Sequence, residues 1–362
     1  MNLKFYFKKK FFNFFNASTK SQIGFKNIII KGENKNWVLN QIASEYKVIF
    51  SNFFDNISLN ENEAYVSDDI RLFIMSKYYA LKNLNSFKNR IYFPYFHGLY
   101  DTNSSKENLS IIKNNIRKIS KIQVSNSLIE NYFMENNISK EKFMRIPITV
   151  DSNKFNALDG IDQNKIREYL NVPKDSFIVG SFQKDGDGWG KGNNPKLIKG
   201  PDIFIKTIKI LKEKIPELFV LLSGPSRGYV KKELEKINVK YKHINFSNYE
   251  DLIKLYKSIN VYLISSREEG GPRAIMESFA SKTPLVSTNV GQAVDMIENN
   301  INAFKVDQID EEMLADLIFS KVYNKDSRLD EIIDNGYLTF KRNSYENQIS
   351  LWKEFFNLKM RK

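Results

Sequence analysis

Residues 267–288 read REEGGPRAIMESFASKTPLVST. Two carboxylates, Glu269 and Glu277, stand eight positions apart, with Gly270, Gly271 and Pro272 between them. If the apolar helix that follows begins near Pro272, Glu269 precedes it and Glu277 lies more than a turn inside it. That spacing is too wide for a close acid–base pair and suits a ligand several groups long. A carboxylate meets vicinal hydroxyls well, two oxygens against two donors, which divides a sugar at Glu269 from a ribose at Glu277. Gly270 and Gly271 remove side chains where a backbone must approach a ligand, and Pro272 fits the first helical position, where its missing N–H costs nothing. The helix tip then presents unpaired N–H groups and a positive dipole end, a site for phosphate or sugar hydroxyls.

The stretch 184–194, KDGDGWGKGNN, offers three further chemistries. Asp185 and Asp187 spell a D-x-D metal motif. A calcium loop would place an acidic residue at its twelfth position, where Lys196 stands. A phosphate loop would follow its lysine with Ser or Thr, where Gly192 stands. The segment matches neither a calcium loop nor a phosphate loop and reads as a flexible loop. No Ser/His/Asp arrangement or zinc spacing of histidines is present, and there is no cysteine.

Elements that would position these residues follow from periodicity. From about residue 172, short apolar runs alternate with amphipathic segments, as in a parallel sheet covered by helices. SFIVGSF (176–182), LFVLLSG (218–224), HINF (243–246), INVYLISS (259–266) and PLVST (284–288) read as strands. Helices are expected at 201–215, 228–238, 249–258, 272–281 and 293–300. Ligands lie beyond the carboxyl ends of such strands, which is where Glu269 falls. In the first half, strands are expected at 27–32, 46–51, 63–68, 89–96 and 121–125, with helices at WVLNQIASEY, DIRLFIMSKYYALKN and SNSLIENYFMENN. Residues 152–172 are polar with a short helix, as a linker would be. The amphipathic 346–360 segment carries Trp352, Phe355 and Phe356, which need a surface to pack on.

EGGPRAIMESFASKTPLVSTNVGQAVDMI resembles the E, seven residues, E motif of retaining glycosyltransferases of the GT-B fold, particularly glycosyltransferase family 4. In order along the chain, IQVSNSLIENYFMENNISKEKFMRIPITVDSNKF resembles the end of an acceptor domain, while IVGSFQKD, KGPDIFIKTIKIL and FVLLSGP resemble parts of a donor domain. The likeness covers roughly residues 90–300. It implies two Rossmann-like α/β domains facing each other across a cleft: an acceptor domain at 1–157, a donor domain at 158–340, and a last helix, 341–362, crossing back to the first. It implies that Glu269 holds the transferred sugar, Glu277 the ribose and Lys199 the donor diphosphate, and that His97, before Gly98, hydrogen-bonds a sugar hydroxyl, with Asp101 orienting it or making a turn. Family members usually carry an arginine where Ser181 stands, so a second diphosphate cation is sought at Lys184 or, failing that, Arg273. The likeness also implies a UDP- or GDP-sugar donor without an essential metal.

Composition bounds these readings. At 362 residues and 42% apolar, the chain is long enough for two cores. The absence of cysteine fits a reducing compartment, so a cytoplasmic location is expected. The formal charge of +13 is spread along the whole chain rather than clustered, which speaks against a nucleic-acid partner. The basic, aromatic start, MNLKFYFKKKFFNFFNASTK, has no signal-peptide core and could meet an anionic membrane on its inner face. The expected activity is transfer of a hexose-type sugar to a glycan or lipid-linked glycan. Two rivals stay open, a nucleotide-sugar epimerase or hydrolase of the same fold, and a non-catalytic polyanion-binding module.

Overall fold

The computed structural model describes residues 27–32, 38–59, 70–97, 103–156, 160–245 and 249–358. The N-terminal basic stretch, the strand expected at 63–68, Gly98 and Asp101 lie outside them. Among the described residues, twelve strands form two six-stranded parallel sheets. The first contains β1 (Asn27–Lys31), β2 (Asn56–Leu59), β3 (Arg71–Ile74), β4 (Arg90–Tyr95), β5 (Ile119–Val124) and β6 (Phe143–Arg145), in the order β2-β1-β3-β4-β5-β6. The second contains β7 (Phe177–Phe182), β8 (Leu218–Ser223), β9 (Lys240–Ile244), β10 (Val261–Ile264), β11 (Leu285–Thr288) and β12 (Phe304–Val306), in the order β12-β11-β10-β7-β8-β9.

Strands β8, β10 and β11 are buried at every residue, because helices cover both faces of the sheet and leave no face for polar alternation. Since β7 sits between β8 and β10, the strand order reverses there and opens a crevice at the carboxyl edge. The segments that leave β7 and β10 into that crevice carry Lys184, Lys199 and Glu269.

Two first-half expectations give way. Residues 46–51 are not a strand but continue the helix Val38–Phe50, because Ile42, Tyr46, Ile49 and Phe50 fall at helical spacing and pack into one core. The helix expected over DIRLFIMSKYYALKN is instead β3 followed by the helix Lys77–Asn83. All four β3 residues are buried in mid-sheet, which outweighs their helical pattern. The segment 152–172 holds two short helices, Ser152–Asn156 and Gln163–Tyr169.

The helix Tyr345–Phe355 packs into the core under the first sheet. Trp352 is fully buried, with ring centroids 4.8 Å from Tyr46 and 5.0 Å from Phe50. Phe356, just past the helix, lies 4.9 Å from Tyr92. Among the described residues, no helix is long and apolar enough to cross a membrane.

Candidate active site

Lys199 closes a short turn, Leu197–Lys199, and Gly200 follows it at φ +60°. A Cβ on Gly200 would fall 1.8 Å from the carbonyl oxygen of Ser265, so only glycine lets this turn sit against the exit of β10. The seating brings Lys199 Nζ to 2.6 Å from Glu269 Oε2, while Ser266 Oγ donates to Oε1 at 2.9 Å. Glu269 is buried, which by itself raises its carboxyl pKa. The groups around it, the Lys199 cation first and then the hydrogen bond from Ser266, outweigh burial and hold it below the usual carboxylate range. Gly291 backs the arrangement, since a Cβ there would lie 2.6 Å from the Glu269 carbonyl oxygen.

His97 leaves the end of β4 on the opposite domain. Although part of the residue reaches solvent, the protein packed around the ring lowers its pKa to about 4. Desolvation is the main cause, followed by the cation of Lys199; Glu269 opposes both. His97 is therefore neutral at neutral pH, fit to exchange hydrogen bonds rather than to carry charge. Lys77 donates to the His97 carbonyl from below, its Nζ 4.0 Å from the Tyr95 ring centroid, and burial lowers its pKa to about 8.

Gly270 and Gly271 make room for the first domain. A Cβ on Gly270 would lie 1.5 Å from the Phe96 carbonyl oxygen, and one on Gly271 would lie 2.7 Å from Ile148 Cδ1 and 3.1 Å from Ser125 Cβ. Phe96, Ser125 and Ile148 all belong to the first domain. The contact is hydrogen-bonded too: Ser125 Oγ and Asn126 Nδ2 both donate to the Gly270 carbonyl. Beside it, Gln292 exchanges two bonds of 3.1 Å with the backbone of Ile148, and Asp295 accepts from the Ser127 N–H at 2.7 Å and pairs with Arg145 at 3.1 Å. Pro272 caps the helix Arg273–Ala280 rather than opening its first turn.

Arg273 and Glu277 form a second buried cluster. Arg273 Nη2 donates to both oxygens of Glu45, at 2.7 and 2.9 Å, and its Nε lies 3.3 Å from Glu277 Oε1. Tyr256 donates to Glu277 Oε2 at 2.8 Å, and Tyr345 donates to Glu45. Arg273 thus answers two carboxylates within the protein. The other candidate for a second diphosphate cation, Lys184, is half-buried with its Nζ 4.4 Å from the Trp189 ring centroid.

The paired aspartates of 184–194 do not act together. Asp185 is buried and ion-paired with the fully buried Arg227 at 3.0 Å, whereas Asp187 is exposed. Burial raises the Asp185 pKa even against the charge of Arg227. The same guanidinium donates to the carbonyls of Ser181, Gln183 and Ser223 at 2.7–3.0 Å, and to Ser181 Oγ at 3.1 Å. An arginine therefore does stand beside Ser181, supplied by the segment after β8, but buried as a clamp on the loop. Arg227, Glu45 and Tyr345 carry no local sequence signal; only the fold brings them to their partners. Among the described residues, no three His, Asp or Glu gather as metal ligands. A cavity of about 400 Å³, lined by Gln163, Phe177, Asn260 and Pro284 among others, opens at the amino ends of β7, β10 and β11, the edge away from Glu269.

Residues 195–339 match the family described as glycosyl transferases group 1. The capsular polysaccharide biosynthesis glycosyltransferase CapM of Staphylococcus aureus is 27% identical over 206 residues, 54% of this chain, which spans about half (49%) of that relative's length. An uncharacterized glycosyltransferase of Methanocaldococcus jannaschii is 21% identical across 96% of this chain and 92% of its own. Anabaena HepE, solved in complex with UDP and glucose, superposes with a TM-score of 0.72 at 16% identity, covering 92% of this chain and 99% of HepE. WaaG, a glycosyltransferase involved in lipopolysaccharide biosynthesis, superposes with a TM-score of 0.66 at 11% identity, covering 91% and 99%. With two parallel six-stranded sheets and these superpositions, the chain has the GT-B fold, and its residues 195–339 are similar to the group 1 glycosyl transferases.

Proposed function

We propose that the protein transfers a hexose-type sugar from a UDP- or GDP-sugar to a growing glycan, free or lipid-linked, with retention of anomeric configuration and without an essential metal. The observation that carries this reading is the partly buried Lys199–Glu269 contact at 2.6 Å, near a neutral His97 from the opposite domain. Breaking the bond between C1 of the sugar and the diphosphate leaves about two negative charges on the departing group. Lys199 is the cation set to meet them, with Lys184 beyond it, and the Glu269 carboxylate, kept ionised by Lys199, accepts from sugar hydroxyls. His97 adds a hydrogen bond to the sugar from the other wall. The acceptor hydroxyl forms the new bond to C1 on the face the diphosphate leaves, and its proton passes to the departing phosphate oxygen. No side-chain nucleophile is needed, and positioning supplies most of the rate.

The donor class draws support from HepE, solved with UDP-glucose, and the acceptor class from CapM, whose name places it in capsular polysaccharide biosynthesis. The expected home is the cytoplasm, at the inner face of the membrane that would carry such an acceptor. The test is calorimetric titration with UDP and GDP. The wild type binds one at micromolar level, and Glu277→Ala weakens that binding about tenfold or more, roughly 1.4 kcal/mol for a lost charge-assisted pair. Binding of neither nucleotide refutes the proposal, and nucleotide release that needs no acceptor turns it into a hydrolase.

A further inference from the structure

Three buried charges lie in a row across the domain boundary. Glu45, on the helix Val38–Phe50 of the first domain, takes both contacts of Arg273 Nη2; Glu277, one turn along from Arg273 on its own helix, takes the longer contact from Nε at 3.3 Å. Their side chains are 3%, 8% and 8% exposed, so water does little to screen the contest between the two carboxylates. Glu45 is the better provided, with Gln41 donating at 2.9 Å and Tyr345, from the last helix, donating as well.

We infer that Arg273 is a positioning residue: Glu45 of the opposite domain draws its guanidinium off Glu277 and so leaves that carboxylate able to accept a nucleotide's ribose diol. The inference rests on the reading of Glu277 as the ribose acceptor. Its consequence is that donor affinity depends on the first domain and the last helix being docked against the second, since both supply groups that hold Glu45. Without Glu45, the i, i+4 spacing lets Arg273 close a two-bond pair with Glu277, and ribose hydroxyls must then displace a guanidinium.

The test is calorimetric titration of the full chain with UDP and GDP for wild type, Glu45→Gln, Glu277→Gln and the double variant, with melting temperatures recorded beside. Expected is an affinity loss of about tenfold for Glu45→Gln, within the usual range of coupling between sites, and no further loss when it is added to Glu277→Gln. A Glu45→Gln protein that melts lower but binds nucleotide as well as wild type overturns the inference, because a merely structural role moves only stability. Equal losses from Glu45→Gln in both backgrounds overturn it too. Tyr345→Phe keeps every charge and carries the same comparison if Glu45→Gln does not fold; a loss of two- to threefold supports the inference and an unchanged affinity refutes it. If Glu277→Gln alone leaves nucleotide binding intact, the ribose reading itself has failed, a result distinguishable from the others.

Discussion

Gly270→Ala separates two uses of a glycine that sequence cannot tell apart. The new methyl would start 1.5 Å from the Phe96 carbonyl oxygen and 2.2 Å from its carbon, both backbone atoms that no rotamer change can move. Carbon–oxygen contacts settle near ~3.3 Å, so the two domains must part locally by about 1.8 Å. That movement stretches the bonds from Ser125 and Asn126 to the Gly270 carbonyl, a loss of about 2 kcal/mol for the two. It also shifts His97, the next residue after Phe96, away from Glu269. A misplacement of about 1 Å can cost roughly 100-fold in rate, and this one is larger. The expected outcome is turnover reduced about 100-fold or more with UDP and GDP affinity falling by no more than about tenfold, the loss expected if the Glu45–Arg273 contact loosens as the domains part, because Lys199, Glu269 and their seating on β10 belong to one domain. Stopped assays of nucleotide release and calorimetry on the same preparation check it. If nucleotide affinity collapses while the turnover of bound donor is unchanged, the glycine serves ligand approach and the assignment to the domain contact is wrong.

Three further outcomes follow from the same geometry. Lys199→Met removes the partner of a buried carboxylate, so Glu269 takes up a proton more readily and turnover falls by about 10²–10³, the scale of a lost charge stabiliser, measured as kcat with saturating donor. The folded-state pKa of His97 lies near 4, below its usual 6.5, so between those values the unfolded chain binds a proton that the folded chain refuses. Stability therefore declines as pH falls from about 6.5 to about 4; Glu269, also depressed, adds to the decline at its acid end, and melting temperature against pH should flatten in His97→Asn. Arg227→Met strands buried Asp185 and costs about 3–5 kcal/mol, most of it recovered in the double variant with Asp185→Asn, read from denaturant midpoints.

The second half of the chain was legible because its strands are buried on both faces and its helices are long and periodic, so FIVGSF, LFVLLS and the 201–214 helix announce themselves. The first half was not, for identifiable reasons. Tyr46 to Phe50 is a short apolar run, which fits strand and helix alike, and the aromatic core around Trp352 decides it. Arg71 to Ile74 continues a helical pattern into Lys77, and only mid-sheet burial breaks it. At the site, Glu269, Glu277 and Lys199 stand at positions the motif picks out, yet the neighbour that Gly270 accommodates in the first domain, Phe96, was not legible. Phe96 lies far from them along the chain, and no spacing rule reports on a contact between domains. The same holds for Glu45 and Arg273, 228 positions apart, and for Ser181 and Arg227, 46 apart.

Trp352 and Phe356 fill the layer beside Phe50 and Phe73, and Tyr345 reaches Glu45 from 300 residues away. A ribosome adding about 5–20 residues per second needs roughly 15–60 s to travel that distance. For that interval the nascent first sheet has an open aromatic flank, an opportunity for chaperones and a hazard for crowded polysomes, and it closes only when the final helix clears the exit tunnel.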